Sequence, residues 1–137
     1  MHFDHIGLNV ADLEAQATWY EHALGLTRTL PFSVPPIELT GLFLIDGNGF
    51  ALELIHRPGN VAGMDAANPG EAALTRGYGH FCLRVDDVDA FFARLVAAGA
   101  EVAIAPQESP EPGVRFAYVR DPEGNLIEFH DRKHPVR

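Results

Sequence analysis

Two stretches of the chain alternate apolar and polar residues in the same way, and each contains a histidine at the same place. In residues 3–10, FDHIGLNV, every second residue from Ile6 is apolar, and residues 78–85, YGHFCLRV, repeat this alternation. A period of two residues is typical of a half-buried strand, whose side chains point alternately to its two faces. The pattern therefore predicts a strand near the start of the chain and a related strand near its middle.

An internal repeat with a spacing of 75 residues explains this similarity, because the shift carries His5 onto His80 and Glu53 onto Glu128. The same shift superposes further identical residues: Leu8 on Leu83, Val10 on Val85, Asp12 on Asp87, Pro31 on Pro106, Pro35 on Pro110, Asp46 on Asp121 and Gly49 on Gly124. One register holds from the first strand to the last without a net insertion. The chain is therefore expected to contain two copies of one module.

A helix is predicted directly after the first strand of each copy. Asp12 and Asp87 stand where a helix N-cap is expected, and apolar residues at helical spacing follow each of them. Gly25 and Gly99 come at the end of the two apolar stripes, where glycine commonly terminates a helix. Both stripes are expected to pack into the core.

The rest of each copy predicts three further strands. One is expected at residues 26–30 and at 101–105, and a proline-bearing loop follows at 31–36 and at 106–112. The last two strands are joined by the sequences DGNG and DPEGN, whose aspartate, proline and glycine residues favour tight turns. Each copy is therefore predicted to be a βαβββ module, which makes the fold class α+β.

Length and composition are typical of one globular domain. The chain has 137 residues, of which 47% are hydrophobic and 21% are charged, and a chain of this size can bury a real core. We expect a single domain over residues 1–137. Within it, the expected division is module 1 at about 1–56, a linker rich in glycine and proline at 57–77, and module 2 at about 78–132.

The charge balance excludes several classes of partner. The formal net charge is −9 and Lys133 is the one lysine, so a nucleic-acid partner is not expected.

No apolar run approaches the roughly 18 residues that a membrane span needs, and no basic amphipathic helix is evident. The single cysteine, Cys82, and the absence of a secretory signal before the first strand favour a cytoplasmic protein.

The repeated histidine and glutamate are the residues that indicate chemistry. Glu53 and Glu128 each lie in a strand between apolar residues, where a carboxylate costs free energy unless it is paired, hydrogen-bonded or bound to a metal. In both copies the glutamate follows the histidine by 48 positions, as from His5 to Glu53. If a pseudo-two-fold axis relates the modules, two imidazoles and two carboxylates meet near it, a donor set suited to a divalent transition metal with open coordination positions.

We therefore predict a metal site formed by His5, Glu53, His80 and Glu128. The alternative is that these residues are relics of a duplication, two histidines with satisfied hydrogen bonds and two surface glutamates.

The paired modules, the four predicted ligands and the ending DPEGNLIE at residues 121–128 resemble the vicinal oxygen chelate superfamily. That family includes glyoxalase I, methylmalonyl-CoA epimerase, extradiol dioxygenases, fosfomycin-resistance enzymes and bleomycin-binding proteins. The resemblance covers essentially the whole chain. It implies a cupped mixed sheet around a divalent metal (zinc, nickel, cobalt, manganese or iron) that chelates adjacent oxygens of a small-molecule substrate. It also implies a homodimer, with the metal either within one chain or between two.

A glutamate in both last strands is closest to glyoxalase I. The resemblance implies a lyase or isomerase that moves a proton next to a carbonyl through a metal-bound enediolate. It also makes Glu128 the expected base, with Glu53 as a ligand and the alternative base. Strand alternation and charge add the candidate substrate residues Asn9, Arg84, Arg115 and His130.

Two other functions of the family stay open on the sequence. An extradiol-type Fe(II) dioxygenase would use His5, His80 and Glu128, and would leave Glu53 as an additional negative ligand, which argues against it. A drug- or antibiotic-binding protein of the bleomycin-resistance type normally lacks the ligand set that this chain retains. The epimerase usually has glutamine at the position of Glu53, which makes that activity less favoured.

Overall fold

A computed structural model describes residues 1–134 and 136, and divides the chain into two compact units, Met1–Gly63 and Met64–Arg137. Each unit contains a four-stranded sheet. Among the described helices, none has both the length and the apolar character of a membrane-spanning segment.

The first unit consists of one helix and four strands. Its elements are β1 (Ile6–Asn9), α1 (Leu13–Leu24), β2 (Thr27–Val34), a 3₁₀ turn (Pro35–Ile37), β3 (Leu39–Ile45) and β4 (Ala51–His56). The strand order in the sheet is β1-β4-β3-β2. Strands β1 and β4 run parallel, and the other neighbours are antiparallel.

The second unit repeats this topology after a short helix. Its elements are α2 (Pro69–Ala72), β5 (Phe81–Arg84), α3 (Val88–Ala97), β6 (Glu101–Glu108), β7 (Arg115–Arg120) and β8 (Leu126–His130). The strand order is β5-β8-β7-β6, again with one parallel pair at the β5 edge. The predicted α+β class with two βαβββ modules is confirmed.

The predicted helix caps explain where both long helices begin. The Asp12 carboxylate accepts a hydrogen bond from the backbone N–H of Ala15, and the Asp87 carboxylate accepts one from Ala90, each at 2.9 Å. At the end of α1, Gly25 adopts a φ of 71°, the left-handed conformation that favours glycine. The repeated aspartates therefore position the helices at the same point of each unit.

The first parts of the two predicted proline-bearing loops belong to strands, because β2 extends to Val34 and β6 to Glu108, whereas residues 109–112 form the predicted loop. Strand β2 contains Pro31 and β6 contains Pro106, so the prediction of a loop is wrong at these two prolines. Both strands lie at an edge of their sheet, and a β-bulge interrupts the pairing beside each proline. Proline has no N–H to donate, and an edge strand at a bulge is where a sheet tolerates this loss.

The segment predicted as a linker is divided between the units, because the first unit ends at Gly63. The part that follows contains α2, whose first turn is capped by the Asn68 side chain. Two alanines of this part are buried against the sheet of the second unit, in a cluster formed by Ala66, Ala72, Tyr118 and Leu126.

We predict that a methyl group at Gly41 of β3 destabilises the first unit. A Cβ there would lie 2.3 Å from Phe32 Cζ and 2.7 Å from the backbone oxygen of Leu54. Because backbone cannot rotate away, Gly41→Ala is expected to lower the free energy of unfolding by about 1 to 3 kcal/mol, measured by urea denaturation. The matched control is Gly47→Ala, where nothing lies within 4 Å of the added carbon. Equal effects of the two changes would contradict the steric explanation.

Candidate functional site

In the first unit, the parallel pairing of β1 with β4 brings His5 and Glu53 together. Glu53 is the register partner of Gly7, and His5 lies directly before β1. The Nε2 atom of His5 lies 3.4 Å from Oε2 of Glu53. Gly7 has no side chain and so leaves room for this carboxylate. A Cβ at this position would lie 3.3 Å from Glu53 Oε2.

The second unit forms the equivalent pair from His80 and Glu128. Cys82 of β5 is the register partner of Glu128, and His80 lies directly before β5. The Nε2 atom of His80 lies 3.0 Å from Oε2 of Glu128. Each unit therefore places one imidazole nitrogen beside one carboxylate oxygen.

The apolar neighbours of each glutamate determine which face of the sheet it occupies. In β8, Ile127 and Phe129 are fully buried, and Phe129 packs against Phe91 of α3 with ring centroids 5.0 Å apart. Because side chains alternate along a strand, Glu128 points to the face opposite the helix. In β4 the buried residues Leu52 and Leu54 flank Glu53 in the same way.

All four side chains are partly accessible to solvent. The exposed fraction is 35% for the His5 side chain and 19% for that of Glu53, and it is 35% for His80 and 22% for Glu128. An ion in solution can therefore reach both pairs. The strands beside them are held by the hydrogen bonds of the two sheets.

A carboxylate orients the ring of His5. Its Nδ1 lies 2.7 Å from Oδ1 of Asp4, and this hydrogen bond raises the pKa of His5 against the opposing effect of burial, with a smaller contribution from Glu53. When Nδ1–H donates to a carboxylate, Nε2 is left with its lone pair, which is the state that a metal ligand needs.

Tyr118 contacts the second pair, and the sequence analysis missed it. It is the register partner of Glu128, and its hydroxyl lies 3.4 Å from Nε2 of His80. Burial raises the pKa of Tyr118, and the neighbouring carboxylate of Glu128 raises it further. The repeat relates Tyr118 to Phe43, which lies 75 residues earlier, and the ring of Phe43 packs against that of His5 with centroids 5.2 Å apart. The repeat could therefore have indicated that the two aromatic residues occupy equivalent places.

The predicted substrate residues Arg84 and His130 lie on strands that form the second pair. They are register partners in the β5–β8 ladder, and alternation places both on the face of Glu128. Burial and the charge of Arg132 lower the pKa of His130, whose Nδ1 accepts a hydrogen bond from the backbone N–H of Arg132 at 3.1 Å. Both effects favour the neutral form of the His130 ring.

The other two predicted substrate residues have different surroundings. Asn9 is the register partner of Ile55 and shares the face of Gly7 in β1. The guanidinium of Arg115 donates two hydrogen bonds to the Asp89 carboxylate of α3, at 2.6 and 2.9 Å. Arg115 therefore lies on the helix side of its sheet, opposite the face that carries Glu128.

The donor chemistry of each pair fits a divalent metal, but the number of donors in one pair does not complete a site. One imidazole nitrogen and one carboxylate oxygen are common ligands of zinc and related ions, which take four or more ligands. Within the described residues, no single group of three or more histidine, cysteine, aspartate or glutamate side chains is placed to hold an ion. The four-ligand set therefore stays a prediction that combines both pairs.

Comparisons with known proteins identify relatives along nearly the whole chain. The model of the Glyoxalase/Bleomycin resistance protein/Dioxygenase superfamily matches residues 2–129. The ethylmalonyl-CoA/methylmalonyl-CoA epimerase of Cereibacter sphaeroides is 32% identical, with 92% of this chain and 94% of the relative aligned. A lactoylglutathione lyase of Haemophilus influenzae is 30% identical, with 94% of this chain and 91% of the relative aligned.

A solved structure shows the same fold. The glyoxalase family protein from Enterococcus faecalis superposes with a TM-score of 0.80 at 21% identity, covering 95% of this chain and 97% of that one. This likeness confirms the fold, and the family model confirms the resemblance that the sequence motifs indicated. Since the family model spans residues 2–129, the chain belongs to the glyoxalase/bleomycin resistance protein/dioxygenase superfamily.

Proposed function

We propose that this protein is a divalent-metal-dependent, glyoxalase-like lyase or isomerase that moves a proton next to a carbonyl of a small oxygenated substrate. The observation that carries the proposal is the histidine–glutamate pair in each unit, with Nε2 and Oε2 at 3.4 Å in the first and 3.0 Å in the second. The named epimerase and lactoylglutathione lyase among the relatives support this class of reaction.

In this proposal His5, Glu53, His80 and Glu128 hold the ion together. Two imidazole nitrogens and two carboxylate oxygens suit zinc, nickel, cobalt, manganese or iron, and such a set leaves coordination positions for a substrate. When bound, the metal polarises a carbonyl oxygen and thereby acidifies the adjacent C–H bond.

The residues of the chain divide the remaining tasks. Glu128 takes the proton from the substrate carbon and returns it one atom away or to the other face, and Glu53 is a ligand and the alternative base. Arg84 lies on the face of Glu128, where its guanidinium can bind an acidic group of the substrate. His130 lies on the same face, where its ring can contact the substrate, and Asn9 is the polar residue of β1 on the face of Gly7.

Two further expectations belong to the proposal. The protein is proposed to form a homodimer, and the family resemblance is the support for it. A cytoplasmic location is also proposed, and its support is the free thiol of Cys82, which a reducing compartment would keep reduced.

We predict that the protein binds on the order of one divalent ion per chain when it is purified without added metal or chelator. Elemental analysis measures this, and calorimetry with the chelated and reloaded protein gives the affinity. His5→Ala, His80→Ala, Glu53→Gln and Glu128→Gln should each weaken binding. The matched controls His22→Ala and Glu38→Gln change exposed residues and should leave it unchanged. Retention of the ion by all four ligand variants would refute the proposed set.

We predict that Glu128→Gln strongly slows proton exchange at the substrate carbon while the fold is retained. The probes are methylmalonyl-CoA and S-lactoylglutathione in D₂O at saturating metal, with NMR following deuterium at the carbon next to the carbonyl. An amide cannot take the proton, so the rate should fall by about 100-fold or more. Circular dichroism checks the fold. Exchange at the wild-type rate would remove Glu128 as the base.

A further inference from the structure

The repeat allows the neighbours of the two histidine–glutamate pairs to be compared position by position. The pairs themselves are identical, but positions around them differ. Asp4, which contacts His5, has Gly79 as its counterpart, and three further positions differ in the opposite sense. A shift of 75 residues relates Phe43 to Tyr118, Gly7 to Cys82 and Ile55 to His130. In the first unit these positions hold no side-chain hydrogen-bonding group, whereas each counterpart in the second unit has one.

The clearest of these differences is a single hydroxyl group. Phe43 is the register partner of Glu53, and its ring meets the His5 ring edge-on at 5.2 Å. Tyr118 is the register partner of Glu128, and its ring meets the His80 ring edge-on at 5.1 Å. The two aromatic rings therefore occupy equivalent places, and Tyr118 adds a hydroxyl 3.4 Å from His80 Nε2.

Packing holds the Tyr118 ring in place. The residue is 6% exposed, and it belongs to a buried cluster with Ala66, Ala72 and Leu126. The segment that carries the two alanines is tied to β7 by an ion pair between Asp65 and Arg120, with 2.7 Å between Oδ1 and Nη2. A ring locked in this way presents its hydroxyl at a fixed point, which is what a positioning group requires.

We propose that Tyr118 is a positioning residue that makes Glu128, and not Glu53, the carboxylate that moves the proton. This inference rests on the proposed function. The hydroxyl lies 3.4 Å from Nε2 of His80, and that nitrogen lies 3.0 Å from Oε2 of Glu128. Tyr118 is also the cross-strand partner of Glu128, so its hydroxyl is placed to donate a hydrogen bond to this carboxylate and to fix its direction beside His80. Phe43 offers no such donor to Glu53, and Gly7, the strand partner of Glu53 in β1, has no side chain that could supply one. Glu53 therefore serves as a ligand, while Glu128 takes the proton from the substrate carbon and returns it.

The effect of such positioning on rate is large enough to measure. A general base works within hydrogen-bond reach of the proton that it removes, so a carboxylate free to turn spends less time in the productive direction. Tyr118→Phe keeps the ring and removes only the hydroxyl. Phenylalanine is also the residue that the first unit has at this place, so the variant is expected to fold.

The test compares Tyr118→Phe with wild type in the metal-loaded, full-length protein. With methylmalonyl-CoA and S-lactoylglutathione as probes, kcat for deuterium exchange should fall roughly tenfold, as expected for the loss of one hydrogen bond. KM and metal affinity should not change. Tyr78→Phe makes the same chemical change at an exposed residue and should leave all three quantities unchanged.

A double-mutant cycle separates positioning from a general structural effect. In a Glu128→Gln background the hydroxyl has nothing to position, so adding Tyr118→Phe should cause no further loss of exchange. In a Glu53→Gln background the roughly tenfold loss should persist. In metal-free protein, ¹⁵N NMR should show a shift of the His80 ring resonances in Tyr118→Phe and none for His5.

The outcomes are distinguishable. If wild type binds no divalent ion and exchanges neither probe, the proposed function fails and this inference with it. If wild type is active and Tyr118→Phe has the same kcat, the inference alone is overturned. An equal loss of exchange in the Glu128→Gln background also overturns it, because the hydroxyl would then act through another group.

Discussion

The alternation of side chains along the last strand of each unit is the constraint on which the site depends. Leu52 and Leu54 in the first unit, like Ile127 and Phe129 in the second, must stay buried to hold the sheet against its core. The glutamate between them is thereby forced onto the opposite face, beside the histidine that precedes the neighbouring parallel strand. The same burial that stabilises the fold also positions the two donors.

Much of this arrangement is predictable from the sequence, because it rests on local patterns that repeat. The N-cap aspartates, the alternation around His5 and His80 and the shared register indicate the modules and the pairs within them. The two prolines led to a wrong prediction of loop at their positions. A strand tolerates proline when it lies at the edge of a sheet, and the sheet topology, which local sequence does not show, determines which strands are at the edge. The burial of Ala66 and Ala72 was equally hidden, because small residues in a glycine-rich segment look like a linker.

The role proposed for Tyr118 comes from comparing the two modules at positions where their residues differ. Identical residues identify the common scaffold, and the residues that differ at equivalent positions indicate how the copies have specialised. The first pair has an aromatic ring without a hydroxyl beside it, and the second has the same ring with one. A duplicated site whose halves were fully equivalent would give two competing bases, and in our proposal the unequal neighbours favour one of them.

The central claim is that the two pairs bind one metal ion together. A crystal structure with anomalous scattering data tests it most directly, because it gives the identity of the ion, its ligands and the chain from which each ligand comes. We predict a single divalent ion ligated by Nε2 of His5, Nε2 of His80 and the carboxylates of Glu53 and Glu128, in one chain or across a dimer. An ion bound by other residues, or by one pair without the other, would contradict the claim.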